Sequence, residues 1–319
     1  MGPFDLTGHL LAQQSQPTGW ADTIDKAART PQSHVIIVVL VLTVLRVGLF
    51  FYTKNVLPHQ RFTGYKIAQF FNECCDAIVY AGIFVFLIIR PYFVQAFRIP
   101  SGSMVSTLLV NDFIVANKLI YRYTDPQHGD IVVFRPPHAA VRSDPTQTDP
   151  DGQVNVDFIK RCIGVPGDLI EVHDGDDFVY RNGQKIDEPY KHFTRQIDPP
   201  NGPNFVEESV SDHATERKPG FKLVVYKGKY WPVTIDGSTI NADDGHTSID
   251  YLAPDSETIN ALRAAPAAQI PKGYYLMLGD NRNGSFDGRA WGLVPREDIV
   301  GRAEWIWWPM SRFGGIKSK

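Results

Sequence analysis

The chain has 319 residues, a formal net charge of −3 and three cysteines. With a charge this close to balance, nothing basic enough for nucleic acid stands out in the sequence, so we expect no nucleic-acid partner. Adjacent Cys74 and Cys75 cannot easily bridge each other, Cys162 is far from both, and no Cys/His spacing suggests zinc, so we expect neither a disulfide framework nor a metal or other cofactor.

Two apolar runs occupy the first third of the chain, over residues 35–52 and 77–97, and each carries a single charge, Arg46 or Arg90. A membrane-spanning helix needs about 20 apolar residues, and each run reaches that length if its arginine extends toward the interface. A pair of buried core helices is the alternative. Because a polar loop joins the runs and a very different composition follows them, we predict transmembrane helices over 35–53 and 76–95, behind a polar segment over 1–34.

The charges of the loop over residues 54–75 bear on orientation. This loop contains Lys54, Arg61 and Lys66, whereas the basic residues of the N-terminal segment are diluted by aspartates. Short loops rich in Lys and Arg stay in the cytoplasm. We therefore predict a cytoplasmic loop, with the N-terminus and everything after about residue 96 on the other side of the membrane.

From residue 97 onward, short runs rich in Val, Ile and Phe alternate with turns, and no long segment repeats its apolar residues at the helical period of 3.6. Asp174-Gly175 and Asn182-Gly183 are typical of hairpin turns. The sequence therefore predicts a mainly β domain, with a core over 96–186 and 271–319 and a polar insertion over 187–270 that forms either a smaller subdomain or a large excursion from the main sheet. The predicted strands cover residues 112–118, 130–135, 157–165, 168–173, 178–181, 224–231 and 274–278.

The segment Pro100-Ser101-Gly102-Ser103 directly follows the second apolar run. These residue types are ordinary in turns, and most serines in turns have no further role. A serine nucleophile needs a base, which is usually a histidine. None of the nine histidines lies in a motif with Asp and Ser at a recognisable spacing, and the pattern Gly-x-Ser-x-Gly is absent from the sequence. A serine–histidine enzyme is therefore the less favoured alternative.

Lysine can replace histidine as the base if it is neutral, which requires burial to lower its pKa by about 3 units from 10.4. In the predicted strand 157–165, Phe158 and Cys162 share a face with Lys160, because side chains alternate along a strand. A lysine that only protects an edge strand against aggregation would have polar neighbours instead. Lys160 is therefore the candidate base.

A third segment, residues 279–289, reads Gly-Asp-Asn-Arg-Asn-Gly-Ser-Phe-Asp-Gly-Arg and follows the predicted strand 274–278. A polar turn tied by Asp–Arg pairs is one interpretation. So many hydrogen-bonding side chains in so few residues also suit a scaffold that orients another group. Ser285 of this segment could exchange a hydrogen bond with a neutral lysine amine.

Together these segments resemble the type I bacterial signal peptidases of the peptidase S26 family, membrane-bound Ser/Lys endopeptidases that release secreted proteins. The family often has Pro where this chain has Ser106 and Gly where it has Asn111, so we expect changed turns at these two positions. The motifs that carry the resemblance stand in the family's order behind two membrane segments: Ile99-Pro100-Ser101-Gly102-Ser103-Met104 with Thr107-Leu108, Asp112-Phe113-Ile114, Gly129-Asp130-Ile131-Val132-Val133-Phe134, Ile159-Lys160-Arg161 with Gly164, Pro166-Gly167-Asp168, and Gly279-Asp280-Asn281-Arg282 with Ser285, Asp287 and Arg289.

The resemblance implies a β-barrel-like catalytic core with an inserted subdomain. It also implies that Ser103 is the nucleophile and Lys160 the general base, with an oxyanion hole formed by the Ser101 hydroxyl and the Ser103 backbone N–H. The implied supporting residues are Ser285, which orients the lysine, and Asp280, Asp287 and Arg289. The implied walls of shallow pockets for small side chains, as in an Ala-x-Ala cleavage site, are Phe97, Ile99, Pro100, Met104, Leu108, Val133, Phe158 and Ile159.

The activity implied by the resemblance is the removal of signal peptides by a multi-pass protein of the bacterial inner membrane, with its catalytic domain on the extracytoplasmic side. The implied partners are the signal peptides of secreted preproteins, the lipid bilayer and the export machinery. Two rival hypotheses are a non-catalytic membrane-anchored β module that binds exported proteins and a different Ser/Lys hydrolase, such as a self-cleaving repressor-like protein. The two apolar runs and the Gly-Asp-Asn-Arg motif argue against the second rival.

Overall fold

The computed structural model of the protein describes residues 32–56, 63–141, 145–149, 152–173, 178–197, 206–209, 220–234 and 256–317. Most of the polar segment over 1–34 and the Asp174-Gly175 turn lie outside these described residues. The chain divides into two compact units: one runs up to Phe97 and includes Asn117–Leu119, and the other contains the remaining residues from Arg98 onward. The first contains the apolar helices and the second contains the β domain.

The helical unit has two long helices. Helix α1 covers Gln32–Asn55, and helix α2 covers Thr63–Gly82 and continues through a π-helical stretch, Ile83–Ile89, into the short turn Arg90–Tyr92. Both are long and apolar enough to cross a membrane. The second helix begins at Thr63, before residue 76, where the predicted span begins. In residues 63–75 apolar side chains recur at the helical period among polar ones, so this part of the helix does not form an unbroken apolar run.

Helices α1 and α2 pack against each other and share an ion pair. The Arg46 guanidinium of α1 pairs with the Asp76 carboxylate of α2. The same guanidinium lies 5.9 Å from the centre of the Tyr80 ring, one helical turn further along α2. The charge in the first apolar run therefore has its partner in the neighbouring helix.

The predicted fold class is confirmed: two apolar N-terminal helices are followed by a mainly antiparallel β domain. The main sheet of this domain curls into a half-barrel. Short helices at Ile120–Tyr123, His138–Val141, Ser256–Ala264 and Gly288–Trp291 join some of the strands. The strands are β1 (Val94–Arg98), β2 (Phe113–Asn117), β3 (Ile131–Phe134), β4 (Phe158–Gly164), β5 (Ile170–Val172), β6 (Val179–Arg181), β7 (Gln184–Lys185), β8 (Thr194–Ile197), β9 (Val206–Ser209), β10 (Phe221–Tyr226), β11 (Lys229–Thr234), β12 (Tyr274–Leu278), β13 (Val294–Pro295), β14 (Ile299–Trp308) and β15 (Gly314–Gly315).

The main sheet carries the candidate residues of the site. From β2 its strand order is β2-β14-β3-β4-β12-β13, and β15 pairs with β14. Strand β4 lies between β3 and β12, both antiparallel to it, with Lys160 opposite Val132 and Arg161 opposite Leu278. This central position buries Lys160 and Arg161 on opposite faces of the sheet.

A second antiparallel sheet has the order β11-β10-β5-β6-β7. Strands β5 to β7 come from the predicted core and β10 and β11 from the predicted insertion, so one sheet crosses the predicted boundary at residue 187. The turn at Asn182-Gly183 has φ of 55° and 78° and joins β6 to β7, as its sequence indicates. The strand predicted over 224–231 is instead a hairpin that turns at Lys227-Gly228, where φ is 49° and 76°.

The two sheets meet through an apolar core. Ile163 of β4 and Leu276 of β12 pack with Phe221 and Leu223 of β10. A separate core cluster includes Val132, Phe134, Cys162 and Met277 on the main sheet. Burial of these side chains, at roughly 25 cal/mol per Å² of apolar surface, holds the sheets in place and fixes the strand that carries Lys160.

Candidate active site

Ser103 and Lys160 are hydrogen-bonded to each other. The Lys160 Nζ atom lies 2.7 Å from the Ser103 Oγ atom and also donates to the Ile159 carbonyl oxygen at 3.1 Å. Only 7% of Ser103 and 5% of Lys160 is exposed to solvent. A hydroxyl and an amine at this distance, shielded from water, are arranged for proton transfer from the serine to the amine.

Burial changes the protonation of Lys160. Phe158 and Cys162 share its face of β4, as the strand period predicts, and the Phe158 ring centre lies 5.6 Å from Nζ. This burial lowers the pKa of Lys160 to about 8, although the nearby charges of Asp287 and Asp280 oppose the change. A large fraction of the amine is therefore neutral near pH 8, whereas an ordinary lysine is almost fully charged there.

The turn that carries Ser103 is a short 3-10 helix, Gly102–Met104, preceded by Ser101 in an extended conformation. The Ser101 Oγ atom lies 3.4 Å from the Ser103 Oγ atom. Asn281 fixes the turn from the other side, because its side-chain amide donates to the Gly102 carbonyl and its backbone N–H donates to the Ser103 carbonyl, both at 3.1 Å. The sequence interpretation gave Asn281 no role, although it lies within the Gly-Asp-Asn-Arg motif that pointed to the scaffold.

Asp280 and Arg161 form a buried ion pair beside the dyad. The Arg161 Nε and Nη2 atoms donate to the two carboxylate oxygens of Asp280 at 2.8 and 2.6 Å, and Thr107 donates to the same carboxylate at 2.6 Å. Arg161 also donates to the Gly129 carbonyl at 2.9 Å and stacks 3.7 Å from the Tyr190 ring centre. Because both charges are fully satisfied, this pair can tie the serine turn, β4 and the loop after β12 together.

Asp287 organises residues 279–289, which we call the scaffold loop. Its carboxylate accepts from the Gly279 backbone N–H at 2.9 Å and from two side-chain nitrogens of Arg289 at 2.8 Å. Burial would raise the pKa of Asp287, but the Arg289 guanidinium and the backbone N–H groups hold it below its ordinary value. Asp287 is therefore a carboxylate, and its charge reaches Lys160.

Ser285 lies beside Gly279 but forms no hydrogen bond with any described residue, although its Oγ atom is buried. A Cβ atom on Gly279 would lie 2.2 Å from this Oγ atom and 2.6 Å from the Ser103 carbonyl oxygen. Only glycine fits at this point, where the strand end, the serine turn and Ser285 meet. The predicted hydrogen bond between Ser285 and Lys160 is not formed in this structure.

The predicted substrate-wall residues differ in burial. Phe97 and Phe158 are half-buried, and Pro100 is exposed. The other five, Ile99, Met104, Leu108, Val133 and Ile159, are all buried. Their apolar side chains contribute to the protein interior, and their assignment as pocket walls stays a prediction.

Both departures from the family pattern fall at unusual backbone positions. Asn111 has a φ of 71°, a left-handed conformation that glycine adopts freely and asparagine tolerates better than most residues. The Arg98 side chain donates to the Asn111 side-chain oxygen at 3.0 and 2.7 Å. The peptide bond before Ser106 is cis. Asparagine thus replaces glycine here with a side chain that has its own partner.

Known proteins resemble this chain over most of its length. The model of the family "Signal peptidase, peptidase S26" matches residues 71–308. The signal peptidase I of Aquifex aeolicus is 33% identical over 69% of this chain and 78% of its own length, and that of Buchnera aphidicola subsp. Acyrthosiphon pisum is 28% identical over 89% of this chain and 99% of its own. A crystal structure of a signal peptidase I from Enterococcus faecalis aligns with 56% of this chain and 97% of its own, at 21% identity and a TM-score of 0.28. Because the family model spans most of the chain, including the serine turn, β4 and the scaffold loop, the chain belongs to the signal peptidase family, peptidase S26, and is a serine endopeptidase.

Proposed function

We propose that this protein removes signal peptides from exported preproteins, with Ser103 as the nucleophile and Lys160 as the general base. The observation that carries the proposal is the distance of 2.7 Å between Lys160 Nζ and Ser103 Oγ in a site shielded from water. The pKa of Lys160, lowered by burial to about 8, supports it because a charged amine cannot accept a proton.

In the proposed first step, neutral Lys160 takes the proton of Ser103, and Ser103 Oγ forms a bond to the carbonyl carbon of the scissile peptide. The Ser101 hydroxyl and the Ser103 backbone N–H stabilise the oxyanion that develops. The distance of 3.4 Å between the two serine oxygens supports this pairing. The carbon–nitrogen bond then breaks, and Lys160 returns its proton to the leaving amine.

In the second step, Lys160 activates a water molecule, whose oxygen bonds to the acyl carbon. The ester bond to Ser103 breaks, and the serine recovers its proton from the lysine. The same two residues therefore act twice, which a single buried amine can do only if its pKa stays near the working pH.

The proposed substrate is an extended segment with small side chains before the cleaved bond, as in Ala-x-Ala, and it would lie beside Ile99 and Val133 through side-chain contacts, because strand β3 is already paired on both sides. Two helices long enough to span a membrane precede the site in the chain. With the loop between them in the cytoplasm, the catalytic unit lies on the extracytoplasmic side of a bacterial inner membrane. The bilayer and the export machinery are then partners, since the substrate arrives through both.

The test uses the full chain in lipid vesicles with a purified preprotein. Ser103→Ala and Lys160→Ala should each reduce cleavage at least a thousandfold, and Lys160→Arg should not restore it, because arginine stays charged near pH 7. Lys272→Ala, at an exposed lysine, is the matched control. Near-normal cleavage by either dyad variant would reject the dyad, and a wild-type protein that binds preproteins without cleaving them would favour the non-catalytic module.

A further inference from the structure

The chain segment over residues 188–193, which we call the strap, lies directly against the scaffold loop. The His192 N–H donates to the Asp280 carbonyl and the Arg282 N–H donates to the His192 carbonyl, both at 2.8 Å. The strap therefore pairs with the scaffold loop in a short parallel bridge around Asn281, the residue that holds the serine turn.

A buried ion pair joins the same two segments. Both carboxylate oxygens of Glu188 pair with the Arg282 guanidinium, one of them with Nη1 at 3.0 Å. Glu188 is 8% exposed and Arg282 5%. The Tyr190 hydroxyl donates to the same carboxylate at 3.3 Å. A charge this deep is costly unless it is paired, so Glu188 and Arg282 depend on each other.

Arg282 connects the ion pair to Gly279, which lies beside the nucleophile. Its Nε atom donates to the Gly279 carbonyl at 3.0 Å, and its own carbonyl accepts from Arg289 at 2.7 Å. Gly279 lies against the Ser103 carbonyl oxygen, with no room for a side chain between them. Arg289 in turn holds Asp287. The strap and the scaffold loop, which are far apart in the sequence, therefore meet at Arg282.

We propose that Glu188 is a positioning residue of the peptidase, which acts through Arg282 to hold Gly279, and with it the scaffold loop, against the Ser103–Lys160 pair. This inference rests on the proposed dyad. Glu188 touches none of the reacting groups, and its contribution is to keep the Arg282 guanidinium aimed at the Gly279 carbonyl.

The Glu188–Arg282 pair lies next to charges that act on Lys160. The charged groups that act on Lys160 are Asp280 and Asp287. Each of them is paired, Asp280 with Arg161 and Asp287 with Arg289. Arg282 also interacts with Asp287 and is neutralised mainly by Glu188. Without the Glu188 charge, Arg282 is left as an uncompensated cation near Asp287, which makes protonation of Lys160 less favourable.

The experiment measures the pH dependence of kcat and KM for preprotein cleavage by the full chain in vesicles. Glu188→Gln should lower kcat at least tenfold and leave KM within about twofold. It should also shift the acid limb, the pH range in which activity falls as Lys160 becomes protonated, by about half a pH unit toward lower pH. Glu188→Asp, which keeps the charge, should keep the limb in place while lowering kcat. The matched control is Asp187→Asn, at the adjacent but exposed carboxylate, and it should behave as wild type.

A Glu188→Gln variant whose acid limb matches wild type would overturn the proposal, whatever its maximal rate, because a merely structural residue changes the amount of active protein and not the profile. If Glu188→Gln does not fold, the double variant Glu188→Gln/Arg282→Gln leaves no uncompensated charge, and its kcat per folded molecule, with the folded fraction measured by circular dichroism, should fall at an unchanged limb. Wild-type kcat in that variant would overturn the proposal too.

Ser103→Ala in the same series separates the two hypotheses. If Ser103→Ala still cleaves, the proposed dyad fails. If Ser103→Ala is inactive and Glu188→Gln matches wild type, only the role of Glu188 fails.

Discussion

Gly279 lies so close to Ser103 that a Cβ atom on the glycine would come within 2.6 Å of the serine's carbonyl oxygen. The contact is with backbone, which cannot rotate away. The position of the nucleophile therefore depends on the absence of a side chain at a residue far away in the chain.

Gly279→Ala should reduce cleavage at least tenfold, because the new methyl group displaces both the Ser103 turn and the Ser285 side chain. Gly64→Ala is the control, since no atom lies within 4 Å of the place where its Cβ would be. Initial cleavage rates at saturating preprotein check the prediction. Adding Ser285→Gly removes one of the two clashes, and full recovery in that double variant would contradict the importance of the Ser103 contact.

Cleavage by the wild-type enzyme should rise with pH until Lys160 is neutral. With the pKa of Lys160 at about 8, kcat/KM should fall about tenfold for each pH unit below that value and level off above it. The measurement is a profile of kcat/KM from pH 6 to pH 10 in one ionic strength. A profile governed by a group near pH 6.5, and lost on substitution of a histidine, would instead indicate a serine–histidine enzyme.

Lys160→Met should stabilise the fold while it removes activity. The pKa of Lys160 is lowered from 10.5 to about 8 in the folded protein, so the unfolded chain binds the proton more tightly. The buried lysine therefore costs stability at every pH below 8, by about 3 kcal/mol, and this cost disappears as pH rises from 8 to 10.5. Methionine, of similar length, avoids the cost.

Thermal unfolding in detergent at pH 7 and pH 10 checks this prediction. Lys160→Met should raise Tm at pH 7 by more than at pH 10, and Lys272→Met, at an exposed lysine, should change little at either pH. An equal change in Tm at both pH values would show that burial does not lower the pKa of Lys160.

Asp280→Asn should lower the free energy of unfolding by about 3–5 kcal/mol, because it leaves the Arg161 guanidinium charged and unpaired where neither side chain reaches solvent. The matched control is Asp125→Asn. Asp125 also pairs with an arginine, Arg296, but it is 76% exposed, so its loss should cost under about 1 kcal/mol. Chemical denaturation of the two variants measures the difference, and similar costs would contradict the role of the buried pair.

The dyad and its surroundings follow from local sequence to different degrees. The apolar face of β4 is visible in the alternation of Phe158, Lys160 and Cys162, because a strand has a period of two. The pairing of Arg161 with Asp280 is not, because 119 residues separate them and only the register of β4 and β12 brings them together. No local signal marks Glu188, which lies between the short strand Gln184–Lys185 and Pro189.

The boundaries that sequence analysis missed have local physical causes. Residues 63–75 belong to a helix that is apolar on one side only, so an unbroken apolar run marks only the later part of this helix. Lys227-Gly228 forms a tight turn in which the lysine adopts a left-handed conformation. Lysine is not typical of this turn position, where Asn, Asp or Gly is usual, so the sequence does not indicate the turn. The insertion predicted over 187–270 shares a sheet with the strands before it, because β10 pairs with β5.

The ion pair between Arg46 and Asp76 also bears on how the protein enters its membrane. A charged side chain in the middle of a lone helix costs about 2.5–3.5 kcal/mol on insertion into a bilayer. Helix α1 inserted alone would bear that cost for Arg46, whereas pairing with Asp76 of helix α2 neutralises the charge. If both helices span a membrane, as we propose, inserting them together as one helical hairpin therefore costs less than inserting either one alone.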